Sequence, residues 1–147
     1  MIVSALKAQW RLVFIVAFFL FGALFVPFLY EPRKLEVGSQ LYNIQYANTP
    51  AKREKGLSNR DSLPDDTAMI FDFGKPGKYC IWMKDMNFPI DILWVNADGQ
   101  VIELRQNVPP DSYPESFCPA DDASYVIELN AGQVSRSGIS EGERVRF

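Results

Sequence analysis

The sequence predicts a mainly β domain with short helices, an α+β fold built as a small closed or partly open β barrel and preceded by one N-terminal transmembrane helix. Three observations predict it. An uncharged apolar run extends from Leu12 to Tyr30. After it come about seven short segments of strand period, separated by turn residues at regular intervals. Only two short segments carry helical start and stop signals, too few for a helical core.

The apolar run LVFIVAFFLFGALFVPFLY is about 19 residues long, which at a rise of about 1.5 Å per residue approaches the roughly 30 Å hydrocarbon core of a bilayer. A cleaved signal peptide would have a shorter apolar region followed by small residues, whereas Phe25, Val26, Pro27, Phe28 and Leu29 lead directly into Glu31. Retention as an anchor is therefore expected. Lys7 and Arg11 precede the span and Arg33 and Lys34 follow it, so the charge rule for orientation is nearly balanced. The short leading segment places the N-terminus inside and the domain outside. The resulting division is residues 1–11 as a cytoplasmic segment, 12–30 as the anchor, 31–39 as a linker, and 40–147 as an extracytoplasmic β-barrel-like domain.

Composition narrows the chemistry. Beyond Tyr30 the chain holds 13 Lys and Arg against 18 Asp and Glu, a sign of charge that excludes a nucleic-acid footprint. There is no histidine, which removes His-activated nucleophiles and His metal ligation together. No cofactor is implied. Cys80 and Cys118 are the only cysteines, and on the outer side of a membrane they are expected to pair; two unpaired thiols are the alternative. No CxxC motif supports redox chemistry.

Along the domain, residues 31–39 read as a polar linker with Pro32 and Gly38. Leu41–Ala47 alternates with Tyr42, Ile44 and Tyr46 on one face, as a strand does. Thr49-Pro50 offers a helix start and Gly56 a stop. Met69–Phe73 and Cys80–Met83 read as further strands. Ile90–Val95 and Gln100–Gln106 flank Asn96-Ala97-Asp98-Gly99, a hairpin turn. Asn107–Asp122, with Pro109, Pro110, Pro114 and Pro119, reads as a long loop. Tyr125–Leu129 returns to strand, Gln133–Ser137 makes a helical turn ended by Gly138, and Arg144–Phe147 is expected as a final strand.

Several pieces together resemble a known family. They are Gly56-Leu57-Ser58-Asn59-Arg60 with Leu63, Met69-Ile70-Phe71, Trp82-Met83-Lys84, Pro89-Ile90-Asp91-Ile92, and Tyr125-Val126-Ile127-Glu128-Leu129-Asn130-Ala131-Gly132 before Gly138-Ile139 and Gly142. In this order and spacing the chain is similar to the family known as domain of unknown function 192. The resemblance implies a small β-barrel-like fold, often exported or membrane-anchored, with no established activity. The chain departs from the family pattern in carrying Asp85-Met86 after Lys84, and Gly142-Glu143 where Gly-Asp is usual.

The candidate site residues are Arg60, Trp82, Lys84, Asp91, Glu128 and Asn130. Arg60, Lys84, Asp91 and Glu128 are charges set among apolar neighbours, which are costly to bury unless paired. Asp91 and Glu128 lie on predicted strands, where the neighbours of an outward charge point inward. Both are read as facing water or pinned to Arg60 or Lys84, with a functional pocket as the alternative. As a pair they would suit a hydrolase acting on envelope polysaccharide or peptidoglycan. Trp82, Met83, Met86 and Met69 near Cys80 raise a soft Cu(I) site, but methionine is more often core, and no metal site is expected. Tyr113, Phe117 and Tyr125 could stack on sugars or anchor a protein partner. Lys52, Arg53 and Lys55 form a basic run read as a solvated helix face. The leading expectation is a non-enzymatic binding or interaction module held at the cell membrane by a single pass, its partner an envelope polymer or protein. A structural envelope protein without a ligand is the further alternative.

Overall fold

The computed structural model describes residues 34–147; the anchor expected at 12–30 and the segments flanking it through residue 33 lie outside that range. Among the described residues no helix is long and apolar enough to cross a membrane. The chain runs β1 (Lys34–Val37), β2 (Gln40–Ala47), α1 (Pro50–Lys55), β3 (Thr67–Gly77), β4 (Ile81–Trp82), β5 (Ile90–Val95), β6 (Val101–Val108), a 3-10 turn (Pro110–Ser112), β7 (Ser116–Phe117), β8 (Ala123–Asn130) and α2 (Gln133–Ser137). The fold is mainly β with few short helices, as expected.

Six strands form one curled sheet in the order β1-β2-β3-β8-β5-β6, and β4 pairs with β7 in a separate ribbon. The sheet is a half-barrel rather than a closed one. Its inner concavity holds Leu35, Tyr42, Ile70, Leu93, Ile127 and Val145, among others. The convex face is apolar as well, with Met69, Phe71, Ile92, Trp94 and Val126 packing under Leu57, Leu63, Ile81 and Met83. Central strands with both faces covered need apolar residues at successive positions, which is why β5 is buried at all six positions. Tyr42, Ile44 and Tyr46 share the inner face as their alternation predicts.

Local signals explain the connections. Thr49 caps α1, its Oγ1 accepting from the Lys52 N–H at 3.3 Å, with Pro50 at the first helical position and Gly56 at φ +47° ending it. This helix carries the chain between the parallel strands β2 and β3. The Asn96–Gly99 turn is closed by the Asn96 side-chain oxygen, which accepts from the N–H groups of Asp98 and Gln100, both at 3.0 Å, while Gly99 takes φ +78°. Cys80 and Cys118 form a disulfide next to the β4–β7 ribbon.

Three expectations are corrected. Lys34–Val37, read as linker, is strand β1 paired with β2 through Val37↔Gln40, so the domain begins ahead of residue 40; four residues with only Leu35 and Val37 buried are too short for a period to stand out. Arg144–Phe147 is not a ladder strand but makes isolated bridges, Arg146 to Glu36 and Arg144 to Gln100. The Asn107–Asp122 loop is shorter than expected, because β6 runs on to Val108 and β7 lies within it.

Inside the half-barrel, the Tyr42 hydroxyl donates to Gln133 Oε1 at 2.8 Å, tying β2 to α2. Burial raises the Tyr42 pKa, the nearby Arg136 pulling the other way. Tyr42→Phe leaves a buried amide oxygen short of a donor and is expected to cost about 1–2 kcal/mol in urea unfolding, with no change in m-value.

Candidate functional site

Glu128 sits in the middle of β8, in a register row that crosses the convex face as Gln45, Met69, Glu128, Ile92 and Arg105. Its neighbours in the row are Met69 and Ile92, so neither adjacent strand offers it a polar side chain. The residue is 5% exposed, and its Oε2 is buried without a hydrogen-bond partner. Burial raises its pKa to about 8, the charge of Arg60 pulling in the other direction. At neutral pH the group is therefore mainly an uncharged carboxylic acid, able both to donate and to accept.

The carboxyl lines a cavity of about 110 Å³. Its walls are Leu57, Phe71, Phe73, Ile81 and Met86, with Arg53, Glu54 and Lys55 of α1 and Trp82 of β4 at the rim. Phe73 stacks on Tyr79 with ring centroids 3.5 Å apart and carries the Arg53 guanidinium 5.3 Å above it. Arg53 also donates to the Asp72 carbonyl at 2.8 Å, so this wall is held in place by an ordered side chain. Outside the mouth, Trp82 and Tyr113 are exposed and meet edge to face at 6.4 Å.

The loop that covers the cavity is stitched by polar contacts between two of the sequence pieces singled out above. Ser58 Oγ donates to the Lys84 carbonyl at 2.9 Å, Asn59 N–H to the Asp85 carbonyl at 2.7 Å, and Asn87 Nδ2 to the Arg60 carbonyl at 2.9 Å. Asn59 and Asp85 both take positive φ to make this junction, near +60° and +56°. Lys84 therefore acts through its backbone, with its side chain exposed. Arg60 Nη1 donates to Gln45 Oε1 at 2.8 Å, on the strand beyond Met69 in the row, and is in no ion pair with Glu128.

Asp91 and Glu128 do not form an acid–base pair. Asp91 pairs across the sheet with Leu129, the residue after Glu128, so the two carboxyls point to opposite faces. Nor does Asp91 meet Arg60 or Lys84. Fully buried on the concave side, it accepts from the Asn107 N–H and from the Val134 N–H in the first turn of α2, both at 2.8 Å. Its role is to pin β6 and α2 to β5. Asn130 is likewise structural, Nδ2 donating to the Leu63 carbonyl at 2.7 Å and to Asp65 at 3.2 Å. The candidate set thus separates: Glu128 and Trp82 share the cavity, Arg60 flanks it, and Lys84, Asp91 and Asn130 serve the framework. Met86 lines the cavity but Met83 lies in the convex core, and no cluster of His, Cys, Asp or Glu that could hold a metal occurs among the described residues. The sequence reading missed the aromatic walls, Phe71 and Phe73, which alternate on β3 as ordinary core positions do.

The family profile of DUF192, described as an uncharacterised ACR, matches residues 33–147. The chain belongs to this family. No curated protein matches it. Two solved structures are similar to this DUF192 domain. One, from Sinorhizobium meliloti and provisionally described as a transcription regulator, is 33% identical, with a TM-score of 0.71 over 77% of this chain and 89% of its own. The other, from Novosphingobium aromaticivorans and of unknown function, is 31% identical, with a TM-score of 0.70 over 78% of this chain and 82% of its own.

Proposed function

We propose that this DUF192 protein is a non-enzymatic binding module, tethered to the cell membrane by residues 12–30 with its domain outside the cytoplasm, and that the Glu128 cavity is its ligand site. The observation that carries the reading is the unpartnered, buried Glu128 carboxyl at the base of an aromatic recess. Leaving such a group unpaired costs stability, and a ligand that supplies its missing hydrogen bonds recovers that cost as affinity. Concave, mostly apolar sites with one placed polar group are the usual form of a small-molecule site. A hydrolase built on Asp91 and Glu128 has no support from this geometry, because the two acids face different sides of the sheet.

The tether and the disulfide belong together in this reading, since paired cysteines persist in oxidising compartments. The acidic balance of the domain argues against nucleic acid as partner, and the regulator description given to the Sinorhizobium protein is not carried over. Fractionation tests the tether: the full chain is expected in the membrane fraction with its disulfide intact and open to external protease, and a chain lacking residues 1–30 in the soluble fraction. Recovery of the full chain in the cytosol with reduced thiols would end the extracytoplasmic reading. A fragment screen followed through the Trp82 indole and Met86 methyl signals tests the cavity. Ligands that shift both signals in the wild type and neither in Glu128→Leu are expected; ligands that cluster elsewhere on the surface would move the site.

A further inference from the structure

We propose that the group this cavity receives is a neutral primary carboxamide, bound edge to edge by the Glu128 carboxyl. The inference deepens the reading of the cavity as a ligand site and rests on it. Glu128 is 5% exposed with Oε2 unpartnered; the walls Leu57, Phe71, Phe73, Ile81 and Met86 are apolar, and the hydroxyl of Ser58, which also lines the cavity, is committed to the Lys84 carbonyl. Whatever satisfies the carboxyl must bring its own hydrogen-bonding groups.

The surroundings decide the charge of that partner. From the loop after α1 Arg60 faces the carboxyl, and from α1 the charged groups at the cavity are Arg53, Glu54 and Lys55. The strands packed beside it contribute Met69 from β3 and Ile92 from β5, neither titratable, and Cys80 at the foot of β4 is locked in the disulfide. Three cations against one acid repel an ammonium head group. A ligand carboxylate would lose its water in an apolar recess whose cations lie at the edge and are already engaged or solvated, Arg53 on Phe73 and the Asp72 carbonyl, Arg60 on Gln45 and Lys55 in solvent, and it is repelled outright once Glu128 ionises. A neutral group meets neither penalty. Among neutral groups a primary carboxamide matches a carboxylic acid in two antiparallel hydrogen bonds, N–H to the carbonyl oxygen and O–H to the amide oxygen, whereas an alcohol or ketone satisfies only part of the pair. The remaining alkyl or aryl body of the ligand then lies against Phe71, Phe73 and the exposed Trp82.

The test uses the full chain in detergent micelles with methyl-labelled methionine, titrated with butyramide, butylamine and butyrate, which share a shape and differ in head group. Butyramide is expected to shift the Met86 and Met69 methyl signals at pH 6.5 at least tenfold more tightly than the other two. Its affinity is expected to hold from pH 5.5 to 7 and then fall by approximately tenfold per pH unit above about 8, as Glu128 ionises. Glu128→Gln, which keeps a donor and an acceptor, is expected to bind butyramide within about threefold of wild type and to lose the pH dependence; Glu128→Leu is expected not to bind it. Tighter binding of butylamine with release of one proton, or tighter binding of butyrate, would overturn the carboxamide assignment while leaving the cavity as a ligand site. Failure of all three to shift Met86 at their solubility limits would overturn both.

Discussion

Asp91→Ala is expected to lower the stability of the domain by about 4 kcal/mol, measured as urea unfolding of residues 33–147 followed by tryptophan fluorescence. The Asp91 side chain is fully buried and both oxygens are engaged, one by the Asn107 N–H and one by the Val134 N–H. Alanine would leave two buried backbone donors unpaired, each costing about 1–3 kcal/mol, and would open a void beside the inner core. It would also release the first turn of α2, where a carboxylate gains from the helix dipole. Asp91→Asn is expected to cost less, about 2–3 kcal/mol, since it keeps one acceptor but sets an amide N–H against a backbone N–H. An alanine variant within about 1 kcal/mol of wild type would return Asp91 to the list of ligand-binding candidates.

Glu128→Gln is expected to do the opposite and to stabilise the domain by about 3 kcal/mol at pH 7. The folded-state pKa of about 8 lies above the ordinary value of 4.5, so the native chain holds a proton that the unfolded chain has lost. Below about pH 4.5 both states are protonated and the carboxyl adds no pH-dependent cost. Between about 4.5 and 8 stability falls by about 1.4 kcal/mol per unit as pH rises, and above about 8 it levels off. Glutamine keeps the volume and removes the titration. The two proteins should match near pH 4, diverge as pH rises and run parallel above about 8, all in parallel urea titrations. Superimposable curves for variant and wild type would mean that Glu128 is hydrated in solution, and the binding argument would lose its foundation. A side chain retained against a stability gain of this size is the pattern expected of a functional group.

The fold was legible wherever local chemistry was strong. Thr49-Pro50 and Gly56 bound α1, and Asn96 to Gly99 makes the hairpin turn, because caps and turns are decided by residues within a few positions of one another. Ile90–Val95 falls on the predicted strand residue for residue. Strand β1 was not legible, since its short alternation becomes meaningful only against β2 and the far end of the chain. The same contrast holds at the site. Asp91 and Glu128 stood out as charges between apolar neighbours, but period-two reasoning turned them toward water or toward Arg60 and Lys84. The signal that could have buried them was present: Ile90, Ile92, Leu93, Trp94 and Val95 around one acid, and Val126, Ile127 and Leu129 around the other, leave those strands no wet face. Which acid is held by backbone N–H groups and which is left unpartnered depends on long-range register, and no local pattern encodes it.

The isolated bridges made by the last residues also bear on how the molecule comes into being. Arg146 exchanges backbone hydrogen bonds with Glu36 across 110 positions, and Val145 bonds Gly99 at the opposite rim of the sheet. The stretch that spans the gap between β1 and β6 is therefore made after both of the strands it joins. A chain made from the N-terminus onward can assemble its hairpins early but keeps both sheet borders open to other strands until residues 144–147 arrive. The interval between emergence of β1 and synthesis of Phe147 is when this domain is most exposed to mispairing with its neighbours, and the one at which a chaperone has most to protect.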